Sequence, residues 1–206
     1  MGKRVKIALA VLAVTLVGMI VWQVWQVRQQ REPVYQGKPL SEWLLRDNRR
    51  TGEAHKDAIA AVLQAGTNAI PTLLRMLRAK DSALKVRLMD LTQRQHIVKI
   101  EFTRAEDWNG AAVLGFSALG TNAQSAVPAL IEIVDQNISR GSQYGAILAL
   151  AFIGPAAREA VPSLLEWTTN ADEGVRYYAI GVLRQIEAEV AANAWITNSP
   201  RTFILP

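Results

Sequence analysis

Apolar residues recur along this chain at helical spacing, and three glycines mark where the pattern restarts. Counting back from Gly66, Gly120 and Gly154, one apolar set precedes each: Ala58, Ile59, Val62, Ala65, then Ala112, Val113, Phe116, Leu119, then Ala146, Ile147, Leu150, Ile153. A fourth copy reads Ala179, Ile180, Leu183, Ile186. These offsets of 0, 1, 4 and 7 put one apolar stripe on an α-helix. The alanine that opens each set is small, so a neighbouring helix can approach closely there. Glycine then suits the helix end, because it takes positive φ without steric cost.

A second helix is predicted after each glycine. Its apolar residues are Ile70, Leu73, Leu74, Leu77, then Val127, Leu130, Ile131, Val134, then Val161, Leu164, Leu165. Pro71, Pro128 and Pro162 follow the first of these in each copy. Proline belongs in a first helical turn and kinks a helix if placed deeper. The echo is plain in the letters: ALGTNAQSAVPALIEI at 118–133 returns as FIGPAAREAVPSLLEW at 152–167, 34 residues later. A single helix pair cannot bury both apolar faces, whereas a stack of pairs can.

Four pairs are predicted: 41–48 with 54–66, 69–80 with 104–120, 124–137 with 142–154, and 157–170 with 174–190. The first is degenerate, with Ser41 as a candidate N-cap. The second is interrupted. Pro71 to Ala112 is 41 residues, whereas Pro128 to Ala146 is 18 and Pro162 to Ala179 is 17, so about 23 residues are inserted at 81–103. The insert begins as a helical stretch over 82–95. It continues as HIVKIEF, in which Val98, Ile100 and Phe102 alternate with Lys99 and Glu101, and restarts at a capping-box pattern, Thr103-x-x-Glu106. Inserts this long inside compact repeats are often functional. The plainer expectation is an edge flap that packs its own apolar residues onto the stack.

Both ends depart from the repeats. Residues 1–32 read as a signal anchor. Lys3, Arg4 and Lys6 precede an apolar run from Ile7 to Val27, with Trp22, Trp25, Arg28 and Arg31 at its far end. Those 21 residues reach about 31 Å as a helix, near one hydrocarbon thickness. A cleavable signal has an apolar core of about 7–15 residues and a small-x-small site; VWQVWQV offers neither. The cationic N-terminus is expected to stay in the cytoplasm, which places the rest outside it, in the periplasm. Residues 33–40 then read as a juxtamembrane linker and 41–190 as the repeat domain. The tail at 191–206 carries Trp195, Ile196, Phe203, Ile204 and Leu205 without helix-pair spacing. Either it folds back as a makeshift cap or it leaves an uncapped end, which would favour homo-oligomers; residues 33–206 are expected to self-associate.

The A-V-P-x-L-[IL] helices and VRYYAIGVL at 175–183 resemble HEAT repeats. From the basic anchor through YQGKPLSEWL to the repeats, the chain is similar to bacterial membrane-anchored HEAT-repeat proteins. The tetratricopeptide pattern of the same length is absent. The resemblance implies an all-α protein: an N-terminal transmembrane helix and a short right-handed α-solenoid of about four HEAT-like pairs. It also implies a protein-binding scaffold, although a solenoid fold does not define one function.

Composition narrows the chemistry. With no cysteine among 206 residues, disulfides and thiolate metal sites are excluded. Residues 1–104 carry a net +10 and residues 105–206 a net −5. His55 and His96 lie apart among basic residues, and no H-E-x-x-H, G-x-S-x-G, P-loop or G-x-G-x-x-G pattern is present. The His-Glu pairs with which some HEAT-like enzymes hold iron are missing too. Glu106–Asp107 and Asp172–Glu173 fall at helix starts, where they suit the helix dipole. No catalytic residue, cofactor or metal is expected.

The expected function is a non-enzymatic, membrane-anchored scaffold for a protein or peptide partner. Its candidate contact surface is basic: Arg75, Arg78, Lys85, Arg87, Arg94 and Lys99. Nucleic acid is disfavoured because this run lacks interleaved aromatics for stacking on bases; an anionic membrane surface suits it better. A self-assembling structural element of the envelope is the other reading.

Overall fold

In the computed structural model, Thr15, Gly18 and residues 32–46, 52–94 and 102–186 are described. Thr15 and Gly18 are helical. The remainder of the 7–27 segment, Lys99 and the 191–206 tail lie outside the described residues.

The expected linker is instead a folded entry. Strands β1 (Val34–Tyr35) and β2 (Lys38–Pro39) pair antiparallel across Gln36 and Gly37. Both turn residues have positive φ, 47° and 77°, the twist a two-residue hairpin requires. Helix α1 (Leu40–Arg46) follows at once. The Trp43 indole N–H donates to the Tyr35 carbonyl at 2.8 Å, and the two rings meet edge to face at 5.6 Å. Ser41 therefore lies inside the first turn of α1, buried, instead of capping a helix that starts after it.

Beyond α1 the chain alternates long and short helices. The long ones are α2 (Glu53–Ala65), α5 (Ala105–Leu119), α7 (Arg140–Ile153) and α9 (Glu173–Ile186); the short ones are α3 (Ile70–Leu77), α6 (Val127–Asp135) and α8 (Val161–Trp167). The insert supplies α4 (Ala83–Arg94). Long helices stack side by side in chain order, and each short helix packs against the long helix that follows it. Described residues of the Val34–Pro206 unit are thus almost entirely helical.

The core follows the stripes. Ala58, Ala112, Ala146 and Ala179 are wholly buried, as are Val62, Phe116, Leu150 and Leu183 one turn on. Leu73, Leu130 and Leu164 of the short helices are equally buried. Each such leucine or phenylalanine contributes about 1.5–3 kcal/mol in water removed from its surface. Close approach also needs Gly115 on α5, because a Cβ there would occupy the space of the Leu73 side chain.

Gly66, Gly120 and Gly154 end α2, α5 and α7 with φ of 55°, 53° and 65°. Their ψ values, −138°, −133° and −140°, complete a conformation essentially reserved for glycine. A 3-10 turn follows each glycine before the short helix begins. The prolines sit in the first turn of α3, α6 and α8, where the missing N–H has no partner to lose.

Arg140–Trp167, taken as one helical run of 28 residues that holds an 18-residue window of mean hydropathy 1.3, is long and apolar enough to cross a membrane. Gly154 breaks that run at positive φ, and half of its most apolar window is buried inside the fold. Here it serves as α7, a turn and α8, the core of the third and fourth pairs.

Candidate functional site

The connections within pairs two, three and four all lie on one edge of the stack, and a recurring polar position organises that edge. Three residues before each register alanine stand His55, Asn109, Gln143 and Arg176. Asn109 donates through Nδ2 to the carbonyls of Met76 (3.1 Å) and Leu77 (2.9 Å), the open end of α3. Gln143 Nε2 donates to the Val134 carbonyl at 2.9 Å, near the end of α6. Arg176 Nη1 donates to the carbonyls of Asn170 (2.6 Å) and Ala171 (3.0 Å), beyond α8. Helix C-termini leave carbonyls without intrahelical partners, and the next long helix supplies donors to them.

The same edge carries the caps of the long helices. Ser139 Oγ accepts the Ser142 N–H at the start of α7. Asp172 Oδ1 accepts the N–H groups of Gly174 (2.9 Å) and Val175 (3.2 Å) at the start of α9, together with the Tyr144 hydroxyl at 2.7 Å. Arg140 Nε lies 3.2 Å from Asp172 Oδ2. The Tyr144 hydroxyl above all, then the Val175 and Gly174 N–H groups and the Arg140 charge, hold the Asp172 carboxyl below the usual carboxylate range. Helix α5 departs from the expected Thr103-x-x-Glu106 box. It starts one residue later, at Ala105, and the Arg104 N–H donates to Asp107 Oδ2 at 3.0 Å.

Between these caps lies an open polar groove of about 700 Å³, lined by Asp135, Arg140, Glu166, Trp167, Asn170 and Asp172 among others. Trp167 forms part of its floor, buried, with its indole N–H on Asp135 Oδ1 at 3.0 Å. Three carboxylates face one guanidinium, so the groove is acidic.

Among the described residues, the predicted basic side chains Arg75, Arg78, Lys85 and Arg87 do not form one free surface. Arg75 is half-buried in the last turn of α3. Arg78 reaches across to Glu132 Oε2 at 3.1 Å and ties the second pair to the third. Lys85 is spent on the neck of the insert, bonding the Asp81 carboxylate and, at 2.6 Å, the Thr103 carbonyl. Arg87 is exposed on α4, Arg94 is the last residue of that helix, and Lys99 lies outside the described residues.

Residues 95–101 of the insert, with Val98 and Ile100 of its alternating stretch, lie outside the described residues, and its described helix is not packed on the stack by its leucines. Helix α4 leaves Leu84 69%, Leu88 43% and Leu91 53% exposed on one stripe and Val86 45% exposed away from it, because α3 and α5 spend their apolar faces on each other. What anchors it is polar. Both Asp81 oxygens accept the Ala105 N–H, at 3.2 and 3.1 Å, and Ser82 Oγ accepts the Lys85 N–H at 3.2 Å. The polar seam and this neck escaped the sequence reading: the seam changes chemistry at every copy, and only its fixed offset from the register alanine marks it.

Among the described residues, no three of His, Asp and Glu come together as a metal site requires. No family model, no curated protein and no solved structure matches this chain.

Proposed function

We propose that the protein is a short HEAT-like α-solenoid, held at a membrane through residues 7–27 with its repeats outside the cytoplasm. Its role is that of a non-enzymatic scaffold for a protein partner. The observation that carries this reading is the acidic groove at the loop edge of the third and fourth pairs. Two of its three carboxylates are already fixed to the fold: Asp172 by Tyr144, Arg140 and two backbone N–H groups, Asp135 by Trp167. Groups held this way form a preorganised surface, which lowers the ordering cost of docking a partner. The excess of carboxylates suits a basic segment of that partner, with long-range attraction favouring encounter.

Photocrosslinking residues placed at Asn137 and Glu166 in the full-length chain test this in cells, with Gln124 on the opposite edge as control. One foreign protein captured stoichiometrically from the groove positions, and lost on Glu166→Lys, is the expected result. Capture that is equal from both edges, or only of further copies of this chain, overturns it.

A further inference from the structure

We infer that α4 is an interfacial helix that lays Leu84, Leu88 and Leu91 into an anionic lipid surface. The three leucines fall at i, i+4 and i+7, which on a helix of about 3.6 residues per turn aligns them within one narrow stripe. Lys85 borders the stripe on one side; Arg87 and Arg94 occupy the register positions bordering it on the other. An apolar stripe between cationic borders is the pattern of a helix lying in a headgroup layer.

Three features favour lipid as the occupant. The stripe stays exposed although α4 is fixed at its first turn by Asp81, Ser82 and Lys85. The sequence of the helix and its approach, 80–94, is cationic: Lys80, Lys85, Arg87 and Arg94 against Asp81 and Asp90. That matches anionic headgroups, whereas two copies of α4 face to face would bring these cations together. Finally, α4 has no aromatic residue with which to stack on nucleic-acid bases. The inference rests on the anchored reading of residues 7–27 only for the nearness of a bilayer, and the two are separable by experiment.

Because the chain has no cysteine, a single introduced thiol carries an environment-sensitive fluorophore at one site. Leu88→Cys places it in the stripe; Val86→Cys places it on the other side of α4. The full chain is reconstituted with vesicles of phosphatidylcholine alone or with one part phosphatidylglycerol to two. Flotation reports the anchor, and quenching by lipids with spin-labelled chains reports α4. The expected result is flotation with both vesicle types. Lipid quenching at position 88 should be several-fold stronger than at 86, only with the anionic vesicles. Leu84→Ser with Leu91→Ser should abolish it, and 1 M salt, where the Debye length is about 3 Å, should weaken it. Equal quenching at 86 and 88, or indifference to lipid charge, overturns the inference. So does a fluorophore at 88 that is shielded from iodide without lipid quenching, which means a protein covers the stripe. A chain that floats only with anionic vesicles while 88 is quenched removes the anchor and keeps the helix. A chain that floats with neither removes both.

Discussion

The carboxylate of Asp81 accepts the backbone N–H of Ala105, 24 residues further along the chain. That bond closes the insert at its base, with Lys85 held between Asp81 and the Thr103 carbonyl. The insert is therefore a closed excursion, and its removal would leave the second pair with a connection comparable to those of the third and fourth.

Asp81→Asn should keep the fold and loosen this neck. The lost charge-assisted cap is worth about 0.5–2 kcal/mol, the range for helix N-terminal caps. The bond from Lys85 chiefly, then the Ala105 N–H and the Lys85 and Arg104 charges, hold the Asp81 carboxyl below its ordinary range. A lowered folded-state pKa stabilises above the unfolded value, near 3.9, and that gain fades as pH falls through the folded one. Hydrogen exchange at Ala105 should therefore stay protected in the wild type until pH falls below about 4. In Asp81→Asn it should be faster throughout, without that acid step.

Gly120→Ala isolates the backbone cost of the repeat turn. The nearest atom to an added Cβ is the Phe152 carbonyl oxygen at 3.9 Å, so no clash contributes. With φ at 53° and ψ at −133°, the strain should be about 1–3 kcal/mol. Urea unfolding should show a lower midpoint with an unchanged slope.

Asn109→Asp probes the polar seam. It exchanges a donor for a carboxylate facing the carbonyls of Met76 and Leu77, at a site only 3% exposed. The loss should be about 1–3 kcal/mol or more at pH 7. Burial beside two carbonyls raises the new carboxyl's pKa, so the deficit should shrink as pH is lowered toward 5 and the group takes up a proton. Urea midpoints at the two pH values give the comparison; a deficit independent of pH would count against this geometry.

Phe116→Ala should cost about 3–5 kcal/mol, as large-to-small changes in a packed core do. Phe116 is wholly buried in α5, the helix against which α1, α2, α3 and α7 all pack. Thermal unfolding should shift accordingly.

Arg78→Ala should cost less than about 1 kcal/mol, because its partner Glu132 is more than half exposed and such pairs are screened. A double-mutant cycle with Glu132→Ala measures the coupling directly.

The helical stripes and their glycines were legible because each depends on one local rule. Burial at Ala112, Phe116 and Leu119 repeats with the helical period, and positive φ at Gly120 selects its residue type. What depends on a distant partner was not legible. Arg104 replaced Thr103 as the residue before α5 because Asp81, far back in the chain, satisfies the first N–H. The hairpin at 34–39 was hidden by a Gln-Gly turn in place of the usual Asn-Gly, and is held from outside by Trp43. Helix formation in α4 was visible in its spacing. That Leu84, Leu88 and Leu91 would stay uncovered was not, since it depends on how α3 and α5 use their own faces. The groove residue Asp172 read as an ordinary helix-start acid until Tyr144 was placed beside it.

The seam also orders events during synthesis. Gln143 bonds a carbonyl 9 residues behind it and Arg176 one 6 residues behind, so pairs three and four can lock as soon as their second helix begins to emerge. The Met76 carbonyl must wait for Asn109, 33 residues further along the chain. At about 5–20 residues per second, translating the 24 residues from Asp81 to Ala105 holds the second pair open for roughly one to five seconds. Through that interval the apolar face of α3 waits on the ribosome without its partner, and the nascent chain is most in need of protection there.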